Sequence, residues 1–190
     1  MHWRKKFLKP DIFGVLLTSF TAFWIFIGIA GKIARQPVKA IDTTILLSLQ
    51  GGPRWLEDLV RDITALGSPG VLSLVVAVAT VFLLLARKHR NAIFMLVTSL
   101  GGVVITALLK FTFDRPRPEL ALQHVYADTA SFPSAHAMLS IVVYLAFGLL
   151  ATRAVTERAL KCYVLGVADL MGILVGFSRI YLGMHWPSDV

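Results

Sequence analysis

The sequence predicts an all-α fold: a multipass membrane bundle with five spanning helices, forming a single domain over residues 1–190. Two observations support this fold class. Hydrophobic residues make up 56% of the chain, with a mean hydropathy of +0.72, and they gather in five long runs separated by charged segments. A bilayer core takes about 20 helical residues, so a series of such runs favours membrane spans over buried core helices. The runs are Ile12–Gly31, Val71–Ala86, Ala92–Leu109, Ala137–Ala151 and Cys162–Phe177.

The first run, Ile12–Gly31, contains no charged residue. Basic residues precede it, as in a signal peptide, but the apolar region of a signal peptide has only about 7–15 residues. We therefore expect this run to be retained as the first helix. The basic residues are Arg4, Lys5, Lys6 and Lys9.

The later runs are shorter, and tilt or flanking residues are expected to complete their spans. The turn sequence Leu66–Gly70 precedes the second run, and Lys110 ends the third. Ser131 and Pro133 suit the N-cap and the first turn of the fourth. Ahead of these runs, Ile41–Leu66 has apolar positions at helical spacing, which predicts a helix along the membrane surface.

The distribution of Lys and Arg predicts that the N-terminus lies on the cytoplasmic side of the cell membrane. Alternation then places Lys32–Gly70, Lys110–His136 and the tail from Ser178 outside. The net charge of +8 is attributed to inner loops and to attraction for anionic lipid, and not to nucleic-acid binding. The basic residues of the inner loops are Arg87, Lys88, Arg90, Arg153, Arg158 and Lys161.

A first polar cluster follows the third run. Lys110 and Arg117 are seven residues apart, and Pro116 and Pro118 stiffen the loop between and after them. Lys supplies a mobile point charge and Arg a planar fork of donors that suits phosphate oxygens. The alternative is a basic anchor that reaches the lipid headgroups.

A second cluster begins the fourth run. Ser134 offers a hydroxyl, His136 lies in the same first turn, and the free N–H groups at the helix N-terminus form an anion site. The alternative is a capped helix start whose histidine marks the membrane interface.

The third cluster ends the chain. His185 and Asp189 are four residues apart and share a face of a helical turn, while Arg179 can bind an oxyanion. An aspartate on one ring nitrogen fixes the tautomer and leaves the other nitrogen free to attack. The alternative is an interfacial loop, and Tyr181 and Trp186 are interpreted as belt aromatics.

Together these clusters supply the groups that phosphoryl transfer needs: cations, a nucleophile and an acid. Carboxylates are not grouped as a metal would require, and the single cysteine, Cys162, excludes a Cys-rich metal site. We therefore predict metal-independent, cofactor-free attack by His185, giving a phosphohistidine. His136 would protonate the leaving group and then activate water.

The three clusters resemble the signature of the type 2 phosphatidic acid phosphatase superfamily, which includes the vanadium haloperoxidases. The signature reads Lys-x6-Arg-Pro, Pro-Ser-Gly-His and Ser-Arg-x5-His-x3-Asp, and this chain matches it in order and spacing except at Ala135, which stands where the family usually has Gly. The resemblance implies that His185 is the nucleophile, Asp189 its orienter and His136 the acid. It implies a phosphate site made of Lys110, Arg117, Ser134, the amide of Ala135, and Arg179.

Membrane members of this family usually have six spans, and the sixth begins near the motif aspartate. The chain stops at Val190, so we expect it to lack that last helix. Asp169, an acid within the fifth run, is expected to have a structural partner, because the chemistry is placed elsewhere.

The predicted function is hydrolysis of a lipid phosphate or diphosphate at the outer face of the membrane. Undecaprenyl diphosphate is the favoured substrate, followed by phosphatidylglycerol phosphate and phosphatidic acid. The alternatives are a truncated, inactive lipid-binding protein and a vanadate-dependent peroxidase. The sequence leaves the oligomeric state open.

Overall fold

The computed structural model describes residues 40–118 and 129–190, together with seven helical positions between 21 and 31. The chain divides into two units, Met1–Pro37 and Val38–Val190. The first predicted run, Ile12–Gly31, lies mostly outside the described residues, and the single domain over 1–190 stays a prediction. Within the described part of the chain, the regular elements are all helical, so the all-α class is confirmed.

The described residues of the second unit form six α-helices and two short 3-10 helices. The 3-10 helices are Thr152–Ala154 and Pro187–Asp189. The α-helices, in chain order, are α1 (Ala40–Leu49), α2 (Arg54–Leu66), α3 (Pro69–Leu85), α4 (His89–Phe113), α5 (Ala135–Ala151) and α6 (Arg158–Tyr181).

The boundaries of α3 and α4 follow from local chemistry. Ser68 caps α3, its side chain accepting from the amide of Val71 at 3.3 Å, and Pro69 occupies the first helical position. Arg87 takes a positive φ of 56° in the tight turn between α3 and α4. Asp114 ends α4 in the left-handed conformation, with φ of 39°, and turns the chain towards the first polar cluster.

Three described helical segments are long and apolar enough to cross a membrane: His89–Phe113, Ala135–Ala154 and Arg158–Tyr181. A fourth span exists only if α2 and α3, which meet at a 44° bend, are counted together. The predicted number of five spans is therefore not confirmed. The second predicted run, Val71–Ala86, lies within α3 except for its last residue, which follows the helix. The α3 helix has 17 residues and is short for a span of its own.

The core of the bundle lies between α3, α4 and α5, where Leu72, Met95 and Val143 are buried together. The α5 and α6 helices approach closely at Gly172, where an added Cβ would lie 2.4 Å from the Ile141 side chain. Large apolar side chains cover the outer surface, as expected for helices that face lipid. Examples are Leu74, Val78, Phe82, Leu100, Val104, Leu108 and Phe111.

The predicted surface helix over Ile41–Leu66 is two helices. The chain leaves α1 through Gln50 and turns at Gly51, which has φ of 88°, before Pro53 caps α2. The α2 helix packs on α6, and α1 contacts both α6 and the Pro187–Asp189 turn. These contacts bring α1 to the end of the bundle where α4 ends, α5 begins and α6 ends.

Asp169 is exposed on α6. Within the described ranges it forms no ion pair or hydrogen bond, so the expected structural partner is not observed.

Candidate active site

The three polar clusters meet at one end of the bundle, as the sequence predicts. The amide of Ser134 donates to the carbonyl of Asp189 at 3.0 Å, which joins the second cluster to the third. Arg117 Nη1 donates to the carbonyl of Met184 at 3.0 Å, which joins the first cluster to the third. Antiparallel packing of α4, α5 and α6 explains the meeting, because it places the end of α4, the start of α5 and the end of α6 side by side.

Asp189 is held at several points in the 3-10 turn Pro187–Asp189. Its Oδ2 accepts from Ser131 Oγ and, at 2.9 Å, from the amide of Trp186. Its Oδ1 accepts from Arg115 Nη1 at 2.5 Å. Burial raises the pKa of Asp189, but the nearby ring of His185, the hydrogen bond from Ser131 and the charge of Arg115 outweigh it, so the pKa lies below its ordinary value. The carboxylate is therefore ionised at neutral pH.

His185 is only 2% exposed and lies between Asp189 and Arg117. Its Nδ1 is 3.7 Å from Asp189 Oδ2, an ion-pair separation longer than a hydrogen bond, and its Nε2 is 3.4 Å from Arg117 Nη1. Burial, followed by the charges of Arg117 and Arg179, lowers the pKa of His185 to about 4 against the opposing effect of Asp189. The ring is thus neutral at pH 7. The carboxylate favours the proton on Nδ1 and leaves the lone pair on Nε2.

Three cations, Lys110, Arg117 and Arg179, converge at the site. Arg117 is fixed by Thr129, whose carbonyl accepts from Nε at 2.9 Å and whose hydroxyl accepts from Nη2 at 3.1 Å. Lys110 Nζ donates to the carbonyl of Ala130, and Arg179 Nη1 donates to Thr64 Oγ1 at 3.2 Å. The charges of Arg117 and Arg179 both act on Lys110, with Asp189 as the opposing charge. Such a concentration of positive charge attracts an anion.

The start of α5 adds backbone donors to this cationic site. Ser134 is the N-cap residue, and its Oγ accepts from the amide of Ala137 at 3.5 Å. As the first two helical residues, Ala135 and His136 have amides without partners inside the helix, which suits an oxyanion. The Cα of Ala135 carries its methyl group within a helical first turn, a conformation that alanine adopts readily.

The prediction that Ser131 caps this helix is wrong. The helix begins at Ala135, and Ser131 lies in the loop before it. Its amide donates to the carbonyl of Arg115 at 2.7 Å and its hydroxyl donates to Asp189, so both groups are committed to other partners.

His136 is half-buried in the first turn of α5. The charges of Arg179, Arg117 and Lys110 and the ring of His185 all act on it, which places both imidazoles at the same site. The structure thus brings together all eight residues that the sequence predicted for the site. In residues 40–118 and 129–190, no group of three or more His, Cys, Asp or Glu side chains could hold a metal ion.

Sequence reasoning missed two buried charges behind the site, Arg115 and Asp42, each 3% exposed. The segment Asp114–Pro118 contains two arginines, and spacing from Lys110 pointed only to Arg117. Asp42 precedes all three clusters by a long stretch of chain, and no pattern in the sequence links it to them.

The chain is similar in sequence to a known protein family and to several known proteins. The model of the PAP2 superfamily matches residues 91–190, just over half of the chain. The chain is 29% identical to phosphatidylglycerophosphatase B of Bacillus subtilis, over 88% of this chain and 83% of that protein. It is 32% identical to undecaprenyl-diphosphatase BcrC of Bacillus subtilis, over 55% of this chain and 50% of that protein. It is 28% identical to an undecaprenyl-diphosphatase of Sulfolobus acidocaldarius, over 60% of this chain and 54% of that protein.

Two crystal structures have a similar fold. The transmembrane PAP2-type phosphatidylglycerolphosphate phosphatase of Bacillus subtilis matches with a TM-score of 0.81 and 27% identity, covering 90% of this chain and 86% of that one. Aquifex aeolicus LpxE matches with a TM-score of 0.60 and 23% identity, covering 80% of this chain and 87% of that one, and supports the fold alone. With its three motifs assembled at one site and the family model matching more than half of its length, the chain belongs to the PAP2 superfamily.

Proposed function

We propose that the protein hydrolyses a lipid phosphate or diphosphate through a phosphohistidine formed on His185. The expected enzyme class, a lipid phosphatase, is confirmed by the family and by the named activities of the relatives. The observation that carries the mechanism is a buried, neutral His185 whose Nε2 lies on the side of Arg117, with an ionised Asp189 behind its Nδ1.

In the first step, the lone pair of His185 Nε2 attacks phosphorus and the bond from phosphorus to the leaving oxygen breaks. The negative charge of the bound phosphate favours protonation of His136, which gives its proton to that oxygen. Asp189 stabilises the positive charge that forms on the ring of His185. Lys110, Arg117 and Arg179 neutralise the phosphoryl oxygens, together with the hydroxyl of Ser134 and the amide of Ala135. These five groups form the proposed phosphate-binding site.

In the second step, neutral His136 takes a proton from water, and the resulting hydroxide attacks phosphorus. The bond between phosphorus and Nε2 breaks, phosphate leaves, and His136 is protonated again for the next cycle. Every atom of the products comes from the lipid and one water molecule, and the proposal assigns each proton transfer and each charge to residues of this chain.

Undecaprenyl diphosphate remains the favoured substrate, with phosphatidylglycerol phosphate as a close second candidate. Two relatives are undecaprenyl-diphosphatases, but each matches only 55% to 60% of this chain. The relative that matches 88% of the chain is a phosphatidylglycerophosphatase. Phosphatidic acid is the third candidate because it presents the same phosphomonoester group.

The decisive experiment measures phosphate release by the purified chain in EDTA from undecaprenyl diphosphate, phosphatidylglycerol phosphate and phosphatidic acid. We expect release from at least one lipid and its loss in His185→Ala. The matched control is His89→Ala, because His89 is exposed at the opposite end of α4. No release by the folded wild-type chain would favour an inactive lipid-binding protein. Halide oxidation that depends on added vanadate would favour a peroxidase.

A further inference from the structure

A buried network of charges lies behind Asp189, on the side away from His185. Arg115 is its centre: Nη1 donates to Asp189 Oδ1 at 2.5 Å, and Nη2 donates to Asp42 Oδ2 at 3.2 Å. Nη1 also donates to Ser188 Oγ at 2.9 Å. Two carboxylates thus share one guanidinium away from water, where charges are retained only if they are paired.

Asp42 connects α1 to the segment that carries the nucleophile. Its Oδ1 accepts from the amide of Ser188 at 3.1 Å, and its Oδ2 accepts from Ser188 Oγ at 2.7 Å. With the bond from Arg115, this carboxylate accepts three hydrogen bonds. It therefore fixes both the plane of the guanidinium and the turn Pro187–Asp189.

The two oxygens of Asp189 have separate tasks in this arrangement. Oδ1 accepts from Arg115, while Oδ2 accepts from Ser131 and the amide of Trp186 and faces Nδ1 of His185. A carboxylate bound at both oxygens cannot rotate without breaking a charged hydrogen bond. The guanidinium thus determines which way Oδ2 points.

We propose that Arg115 and Asp42 are positioning residues for the nucleophile: Asp42 orients the guanidinium of Arg115, which orients Asp189 towards His185. Both side chains are buried, and among the described residues they bond to groups other than the cations proposed to bind phosphate. Arg115 bonds to Asp42, Ser188 and Asp189, and Asp42 bonds to Arg115 and Ser188. Arg115 thus differs from Arg117, whose Nη1 faces the imidazole. Asp42 also lies outside residues 91–190, the part matched by the family model. The inference rests on the proposed attack by His185.

The test compares Arg115→Gln, Arg115→Lys and Asp42→Asn with wild type in the full-length chain, measuring kcat and KM on the preferred lipid. We expect Arg115→Gln and Asp42→Asn to lower kcat by about 30-fold or more, with KM within about threefold, because the phosphate ligands are untouched. Arg115→Lys keeps the positive charge but loses the planar guanidinium that donates to Asp189 and Asp42 together. Its kcat is therefore expected to lie between those of wild type and Arg115→Gln. The matched control is Arg61→Gln, which removes the exposed ion pair of Arg61 with Glu57 and should leave both constants unchanged.

A pH profile separates positioning from a general loss of structure. The charge of Arg115 lowers the pKa of Asp189, so Arg115→Gln should let Asp189 take up a proton at higher pH and move the acid limb of kcat/KM to higher pH by about half a unit or more. Asp42→Asn removes a negative charge beside Arg115, so the same limb should move to lower pH. The other charged or titratable groups around His185 stay in place in both variants: Asp189, Arg117, Arg179, Lys110 and His136.

Ser188→Ala provides a milder variant if the charge substitutions prevent folding. The substitution removes the hydroxyl between Asp42 and Arg115 but keeps the hydrogen bond that the backbone amide of residue 188 donates to Asp42. It should lower kcat by about 3- to 10-fold at constant KM. The inference is overturned if the folded variants keep the wild-type kcat and acid limb, or if only KM changes. The proposed function fails separately, if the wild type releases no phosphate or His185→Ala remains as active as wild type.

Discussion

In the proposed mechanism, His185 and Asp189 form a reactive pair at one end of the bundle. The imidazole is removed from water and surrounded by cations, which keeps it neutral, while the carboxylate keeps its charge because three side chains and one amide stabilise it. A neutral base and an ionised partner are the states that attack by Nε2 requires. Environment, more than residue identity, sets these states.

Asp189→Asn tests the role of the carboxylate. The amide cannot hold the proton on Nδ1 or stabilise the charged ring, so kcat should fall by about 10³- to 10⁴-fold while KM changes little. Steady-state kinetics on the preferred lipid would measure both constants. A change confined to KM would contradict the orienting role.

The pH dependence of kcat/KM tests the neutral nucleophile. Because the pKa of His185 is lowered to about 4, the ring stays unprotonated as the pH falls from 7 to 5, and the acid limb should appear only near pH 4. Protonation below that pH removes the lone pair, so activity is lost on the acid side. An acid limb at the ordinary histidine pKa of about 6.5 would contradict this assignment.

Motif spacing identifies the residues that the proposal assigns to the site, because each is fixed relative to a neighbour in its own segment. The residues behind the pocket could not be predicted this way. Ser131 resembled an N-cap by its position before Pro133, whereas its hydroxyl binds Asp189 across a long separation in sequence. Arg115 and Asp42 are likewise recognised only once distant segments are brought together.

At the scale of helices, the contact between α5 and α6 sets the distance between His136 and Arg179. Both helices carry site residues at the same end, and Gly172 lets them approach. Small residues at such crossings permit the close packing that membrane helices depend on.

Gly172→Ala tests this contact. The new Cβ would lie 2.4 Å from Ile141 Cγ1 and 3.1 Å from its Cα, so the helices must separate, at a cost of about 1–3 kcal/mol. We expect a lower melting temperature and reduced kcat. Gly166→Ala, also on α6, is the matched control, since nothing lies within 4 Å of its added Cβ. An equal effect of both substitutions would show that the loss does not arise at the crossing.

The helices α4, α5 and α6 were predictable because their apolar runs are long, and only Asp169 in α6 interrupts them. The sequence also indicates the break between α1 and α2, because Gly51, Gly52 and Pro53 are typical of a turn. The apolar residues on both sides keep helical spacing, and one continuous helix was therefore predicted. The short length of α3 and its bend against α2 arise where Ser68 and Pro69 start a new helix. Hydropathy alone does not reveal that bend.

At the scale of the whole molecule, the described helices place the site and the basic loops at opposite ends of the bundle. Arg87, Lys88 and Arg90 precede α4, and the proposed active site follows it. By the positive-inside rule, this polarity supports a site outside the cytoplasmic membrane.

Cysteine labelling in intact cells tests the proposed orientation. In a Cys162→Ser background, Asp58→Cys lies on the exposed face of α2 near the site, and Thr156→Cys lies in the loop before α6. An impermeant maleimide should label position 58 in intact cells and position 156 only after permeabilisation. The reverse pattern would place the site inside.

The crowding of Lys110, Arg117 and Arg179 beside His136 has a practical consequence for handling the protein. A site that binds phosphate through these three positive charges should also bind a free tetrahedral oxyanion such as sulfate or molybdate. Preparations in sulfate or phosphate buffer should therefore look more heat-resistant and less active than the same preparations in chloride. Raising the ionic strength should weaken that competition.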